Sequence, residues 1–134
     1  MENPRYQQGI DVVEKLIPTK ENETPAYLNI AGDLSELAPD LDNFIVEFAF
    51  GEIYSREGLT NHQRTLVTIS SLVTLGTEPQ LALHTNVGLN IGLTPQEIVG
   101  TVVHLIPYAG FPRVLNALRV VKKVFDQRNV KVEN

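Results

Sequence analysis

The alternation of apolar and polar positions has a helical period through most of the chain. Ile10, Val13 and Ile17 recur at helical spacing between Tyr6 and Ile17, with Asp11, Glu14 and Lys15 on other faces. That pattern predicts an amphipathic helix stopped by Pro18. A polar linker, KENETP, follows. A second helix is expected from Pro25 to Leu37, carrying Tyr27, Ile30, Ala31 and Leu34. A longer one opens at Pro39, with Leu41, Phe44, Ile45, Phe48 and Ala49 as a bulky stripe continuing towards Ile53 and Tyr54. The turn SREGL ends it.

Capping signals organise the rest. Thr60 and Gln63 have capping-box spacing, and their helix runs through RTLVTISSLVTL to Gly76, a good left-handed terminator. Its Thr and Ser hydroxyls can bond to carbonyls one turn back, so they tolerate burial. The next helix has Pro79 in its first turn and ends at Gly92. Thr94, Pro95 and Glu97 form a second box, opening a helix to about Ile106, where Pro107 removes an amide donor and deprives the Val103 carbonyl of its helical partner. YAGFP is a tight connection. Pro112 opens the last helix, VLNALRVVKKVF, which is expected to fray into a polar tail. No strand pattern survives, because β-branched residues fall at helical spacing. The expected fold class is all-α, with six or seven helices. A single domain over residues 1–134 is expected, since two halves would each be too small for a good core.

Composition narrows the function. Apolar residues make up 43% of the chain, an ordinary globular value. The net charge of −5 argues against a nucleic-acid partner, which requires a dense basic patch. The first residues lack an apolar signal-peptide core, and no apolar run approaches bilayer-spanning length, so no membrane partner is expected. Cysteine is absent. That rules out disulfides, thiolate metal sites, thiol nucleophiles and dithiol redox pairs. A small chain needing no such staples fits the cytoplasm.

Charge placement says more than its sum. From Thr65 to Phe111 the formally charged residues are Glu78 and Glu97; the others lie in the flanks. Helices without charge on their outer face need covering, by other copies of the chain or by its own termini. The first alternative makes a homo-oligomer the expectation.

Several residues in this stretch carry candidate chemistry. Glu97, Thr101, His104 and Tyr108 are spaced four, three and four, placing them along one helical face, with Pro107 bending the last step. Beside them Ile98, Val102 and Leu105 are apolar. The face reads either as a pocket wall with an acid/base histidine and a phenol donor, or as a structural hydrogen-bond network at a subunit contact. His84 lies in the charge-poor segment PQLALHTNVGLNIG; an imidazole suits proton transfer, while a core histidine bonded to a carbonyl is the alternative. Arg56 and Arg64 could each fork onto a substrate carboxylate, or pair with Glu52, Glu57 or a neighbouring subunit. His84, His104 and Glu97 lack a close metal-binding pair such as HxxxH or HxH, so no metal is expected. Phosphate loops, nucleophile elbows and dinucleotide fingerprints are missing from the sequence.

The stretch from Gly51 to about Leu118 resembles the carboxymuconolactone decarboxylase family. The resemblance lies in the arginine-containing turn before a helix, LVTLG, the LALH histidine, GLTPQEI and the HxxxYAGFP ending, in order and at matching intervals. It implies an all-α fold of the alkylhydroperoxidase-D type, assembled as trimers or hexamers. One branch of that family reduces peroxides with a CxxCxxxH motif and a helper glutamate. Aligned on His84, its cysteines fall at Thr77 and Gln80 and its glutamate near Thr65, so dithiol peroxidase chemistry is excluded.

The other branch decarboxylates a carboxylated γ-lactone without a cofactor, and its resemblance implies the same here. Such a protein must hold a dianionic substrate, stabilise charge on the lactone oxygen and deliver a proton. The implied roles are His84 as general acid, His104 and Tyr108 as positioning groups or oxyanion donors, and Arg64 and Arg56 as carboxylate ligands. Glu97 belongs to the same substrate-binding wall. Two rivals remain: a cofactor-free enzyme for another small acid or ketone, and a non-catalytic oligomeric binding or stress-associated protein on the same scaffold. A clustered His84–His104–Arg64 pocket favours an enzyme; histidines bonded to carbonyls in a dry core favour the last.

Overall fold

The computed structural model describes residues 3–133, and these contain seven α-helices and no strand. They divide into two compact units, one ending at Gly58 and the other beginning at Leu59.

In the first unit, α1 (Pro4–Leu16) is capped by the Asn3 side chain, which accepts from the Arg5 amide at 3.0 Å. Val13 and Leu16 are buried, while Ile10 and Ile17 are half-exposed. The helix expected over Pro25–Leu37 is not formed. Two 3-10 turns, Ala26–Leu28 and Gly32–Glu36, take its place. Gly32, at φ +61, interrupts the helical conformation between them.

The long helix expected after Pro39 is a short α2 (Leu41–Phe44) continuing into a π-helix, Ile45–Ile53. Its wider register shows in the Tyr54 amide, which donates five residues back to Ala49 at 3.0 Å. The predicted stripe therefore fails: Phe44 and Phe48 are exposed, and Val46, Phe50 and Gly51 are buried instead. The wider turn changes which side chains share a face. α1 packs on this segment at very close range. A Cβ on Gly9 would lie 2.0 Å from the Val46 carbonyl oxygen, and one on Gly51 would lie 2.2 Å from that of Arg5. Arg5 also pairs with Glu52 at 2.6 Å, an exposed contact worth at most about 1 kcal/mol.

The second unit follows the capping signals closely. α3 (Asn61–Leu75) opens with the Thr60–Gln63 box in both directions, at 2.9 and 3.1 Å. It stops at Gly76, φ +76, where the amides of Gly76 and Thr77 both return to the Leu72 carbonyl. A Cβ on Gly76 would also strike the Arg113 guanidinium. α4 (Glu78–Asn90) follows, then α5 (Pro95–His104) behind the Thr94–Glu97 box, a short α6 (Ile106–Ala109), and α7 (Phe111–Gln127).

Ile69 and Val73 of α3, Leu81 of α4, Ile98 and Val102 of α5 and Val114, Val121 and Phe125 of α7 form one core. Each fully buried aliphatic side chain stabilises by about 1.5–3 kcal/mol. The tail does not fray as expected. Val130 and Val132 pack against this core, and Gln96 Nε2 donates to the Glu133 carbonyl at 2.9 Å.

Gly9→Ala forces two backbones apart and should lower stability by about 1–3 kcal/mol. Gly100→Ala, where a Cβ meets nothing within 4 Å, should be neutral or stabilising by up to about 1 kcal/mol through helix propensity. Urea unfolding midpoints at one fixed protein concentration measure both.

Candidate functional site

α3 and α4 form an antiparallel hairpin, and α5 closes over its open end. The three meet at Gly88, where an added Cβ would lie 3.1 Å from Leu93 Cδ1, 3.4 Å from Ile98 Cδ1 and 3.5 Å from Thr65 Cγ2. An added methyl would fit only with a small shift of the Leu93 side chain. His84 sits one turn before Gly88 and one turn after buried Leu81, so its ring emerges along the edge of the same face.

The hydroxyl-rich sequence around it is internally satisfied. Thr65, Thr68, Ser70 and Thr85 each donate to the carbonyl four residues back, at 2.8–2.9 Å. Thr65 and Thr85 can therefore be fully buried without stranding a polar group.

His84 differs. Its Nδ1 is sealed from solvent and has no hydrogen-bond partner. Desolvation by burial pushes its pKa below the ordinary histidine value. Of the two arrangements distinguished by sequence, the carbonyl-bonded histidine is not present at Nδ1.

Arg64 occupies the first turn of α3, half-buried, beside Thr65. Because Thr65 faces Gly88 across the hairpin, Arg64 and His84 lie on neighbouring helices with an axial offset of roughly 7 Å. Arg56 is exposed in the turn after the π-helix and belongs to the first unit.

The predicted polar face of α5 resolves into two separate devices. Glu97 is exposed and caps its own helix, its Oε1 accepting from the Thr94 amide at 2.9 Å. Hydrogen bonds from the Thr94 backbone and then its side chain hold the Glu97 carboxyl below its usual pKa, with a further contribution from His62. Thr101 donates to the Glu97 carbonyl at 2.7 Å. His104 and Tyr108 pair with each other, ring centroids 5.5 Å apart and tilted 45°, across the break at Leu105. Both are exposed, Tyr108 to 74%. They therefore form a surface pair in the isolated chain.

Among the described residues no three His, Asp or Glu side chains converge as a metal site would require. Grooves of about 410 and 480 Å³ lie against Tyr6, Ile10 and Glu47 in the first unit and against Val99, Phe125 and Val132 in the second. Neither is lined by a residue singled out from sequence.

One contact escaped the sequence reading. Arg128 donates to the Asn86 carbonyl and side chain and to Asn90 Oδ1 at 2.9–3.2 Å, tying the end of α7 to α4. Its sequence position looked like tail; two asparagines four apart on one helix were the available signal.

Comparison with known proteins agrees with this architecture. The profile of the carboxymuconolactone decarboxylase family matches residues 39–123, a wider span than the motifs alone. The 4-carboxymuconolactone decarboxylase of Acinetobacter baylyi is 35% identical over 130 residues, covering 96% of this chain and 92% of that one. An uncharacterized 15.0 kDa protein of Paracoccus denitrificans is 30% identical over 98 residues, 72% of this chain and 73% of its own. The nitrosuccinic acid decarboxylase of Metarhizium robertsii is 34% identical over 82 residues, 61% of this chain and 57% of that one.

The His84 environment has a consequence for stability. The folded chain resists protonating this ring, whereas the unfolded chain takes up the proton near pH 6.5. The unfolded state then binds more protons, so stability is lost as pH falls through that value and is regained above it. Chemical denaturation at pH 5.5 and 7.5 should show this loss, and His84→Gln should reduce it.

Proposed function

The chain belongs to the carboxymuconolactone decarboxylase family, and from that premise we propose that it is a cofactor-independent carboxy-lyase for a small carboxylated lactone or related acid. The observation that carries the reading is the solitary, partly buried imidazole of His84 at the edge of a satisfied core. A buried polar atom without a partner costs stability, and such costs are concentrated at functional sites. A purely structural histidine would be expected to bond to a carbonyl, as the neighbouring threonines do.

The names of the two decarboxylase relatives point to a shared chemistry. Loss of carbon dioxide from 4-carboxymuconolactone leaves an electron pair that the lactone carbonyl and ring double bond delocalise; in nitrosuccinic acid the nitro group can do the same. Each case develops negative charge on oxygen, and each substrate arrives as a polyanion. Within the second unit the residues proposed for these tasks are His84, His104 and Tyr108 at the reacting centre and Arg64 as a carboxylate ligand; Arg56 is a further carboxylate candidate in the first unit, and Glu97, held ionised as a helix cap, does not suit a polyanion. Arg64, half-buried on the helix that packs against α4, is the leading carboxylate ligand.

The reading includes a homo-oligomer, a trimer or hexamer, in the cytoplasm. Val67, Leu75, Tyr108 and Phe111 are each more than half exposed within the charge-poor stretch. Apolar exposure of that kind marks an association surface. In the assembly a neighbouring copy would cover the His104–Tyr108 pair and shield the reaction from water.

The decisive assay measures carbon dioxide release from 4-carboxymuconolactone, with nitrosuccinic acid as a second substrate. His84→Ala should lose at least about a hundredfold in turnover while keeping the wild-type oligomer size. Near-normal turnover would remove His84 from the mechanism. Leu75→Lys should shift the molecule towards smaller species in light scattering; an unchanged mass would exclude that face from the subunit contact.

A further inference from the structure

We infer that His84 works from Nε2 as an uncharged hydrogen-bond donor to the oxygen on which negative charge develops, and that the proton added to carbon comes from a different donor. The inference rests on the lyase reading for the identity of that oxygen, but its structural basis is independent of it.

The two ring nitrogens of His84 have different surroundings. Nδ1 is closed to solvent and has no partner among the described residues. Nε2 does not share that condition: the ring makes no hydrogen bond, yet Nδ1 is the ring atom that is both buried and unpartnered. Nε2 therefore keeps contact with solvent and is the atom a ligand meets.

A neutral imidazole places its proton on one nitrogen and a lone pair on the other. A proton on Nδ1 would bury a donor with nothing to accept it. A lone pair there is the smaller loss, since buried unpaired N–H groups are the rarer and costlier defect. The imidazolium carries N–H on both nitrogens, so it strands the same donor and adds a desolvated charge. The form that fits is uncharged, with Nδ1 bare and Nε2–H directed outward.

That form constrains the chemistry. In the proposed reaction the bond between the carboxylate carbon and the ring carbon breaks, carbon dioxide departs, and the electron pair passes into the ring and onto the lactone oxygen. Nε2–H can stabilise that oxyanion without giving up its proton. Transferring the proton would leave an imidazolate, which a protein interior does not favour. The proton that completes the product's carbon–hydrogen bond is therefore supplied by water or by another acid.

Two measurements test this. The protein labelled with nitrogen-15 in histidine reports each tautomer at pH 7 by two-bond proton–nitrogen correlation, and the His84 signals are those lost in His84→Gln. Protonated Nε2 with unprotonated Nδ1 is the expected result. An imidazolium, or protonated Nδ1, overturns the inference. In parallel, carbon dioxide release is compared for wild type, His84→Gln, His84→Asn and His84→Ala. The glutamine amide can place an N–H near the Nε2 position but cannot act as an acid. His84→Gln should stay within about tenfold of wild type, while His84→Asn and His84→Ala fall by about a hundredfold or more. A glutamine variant as inactive as the alanine one, with its fold and oligomer intact, overturns the inference. A wild type that releases no carbon dioxide but shows the Nε2–H tautomer marks failure of the lyase reading and not of the donor assignment.

Discussion

The meeting of α3, α4 and α5 at Gly88 governs the second unit. Thr65, Leu93 and Ile98 close on that position so that an added Cβ would lie 3.1–3.5 Å from each of them. One turn away, His84 is the first position on that face large enough to span from core to surface. Its depressed basicity follows from its burial.

The same closeness explains the composition of the charge-poor stretch. Helices that approach one another closely cannot carry long charged side chains on their facing sides. Threonine and serine offer small volume and a hydroxyl that bonds to its own helix. They fill the positions that lysine and glutamate take on a solvent-facing helix. Val67, Leu75 and Tyr108 are left exposed on this stretch, while on α7 Lys122 and Asp126 pair at 2.8 Å.

Local signals were the most legible part of the chain. Thr60 with Gln63, Thr94 with Glu97, Gly76, Pro79 and Pro112 placed the ends of α3, α4, α5 and α7 to within a residue or two, because each end is decided by atoms a few residues apart. The first unit was read less well. A period of 3.6 residues was applied to a π-helical segment, so Phe44 and Phe48 were put in a core that holds Val46 and Phe50. Pattern alone does not announce a π-helix, since its register is held by the partner: α1 approaches closely enough that Gly9 and Gly51 must lack side chains. Glu97 was legible twice over, as cap and as candidate ligand, and the structure shows it engaged as the cap.

By itself, then, the sequence determined the helical class, the ends of α3, α4, α5 and α7, the absence of thiol chemistry and the family signature around His84, all properties of residue type and short spacing. Tertiary structure decided what spacing cannot encode: that the polar positions from Glu97 to Tyr108 split into a cap and a surface ring pair, that Arg128 returns to α4, and that Nδ1 of His84 is sealed without a partner. The physical reason is that helical periodicity assigns a residue to a face, whereas the solvent, partners and protonation of a side chain depend on which distant segment covers that face and how closely.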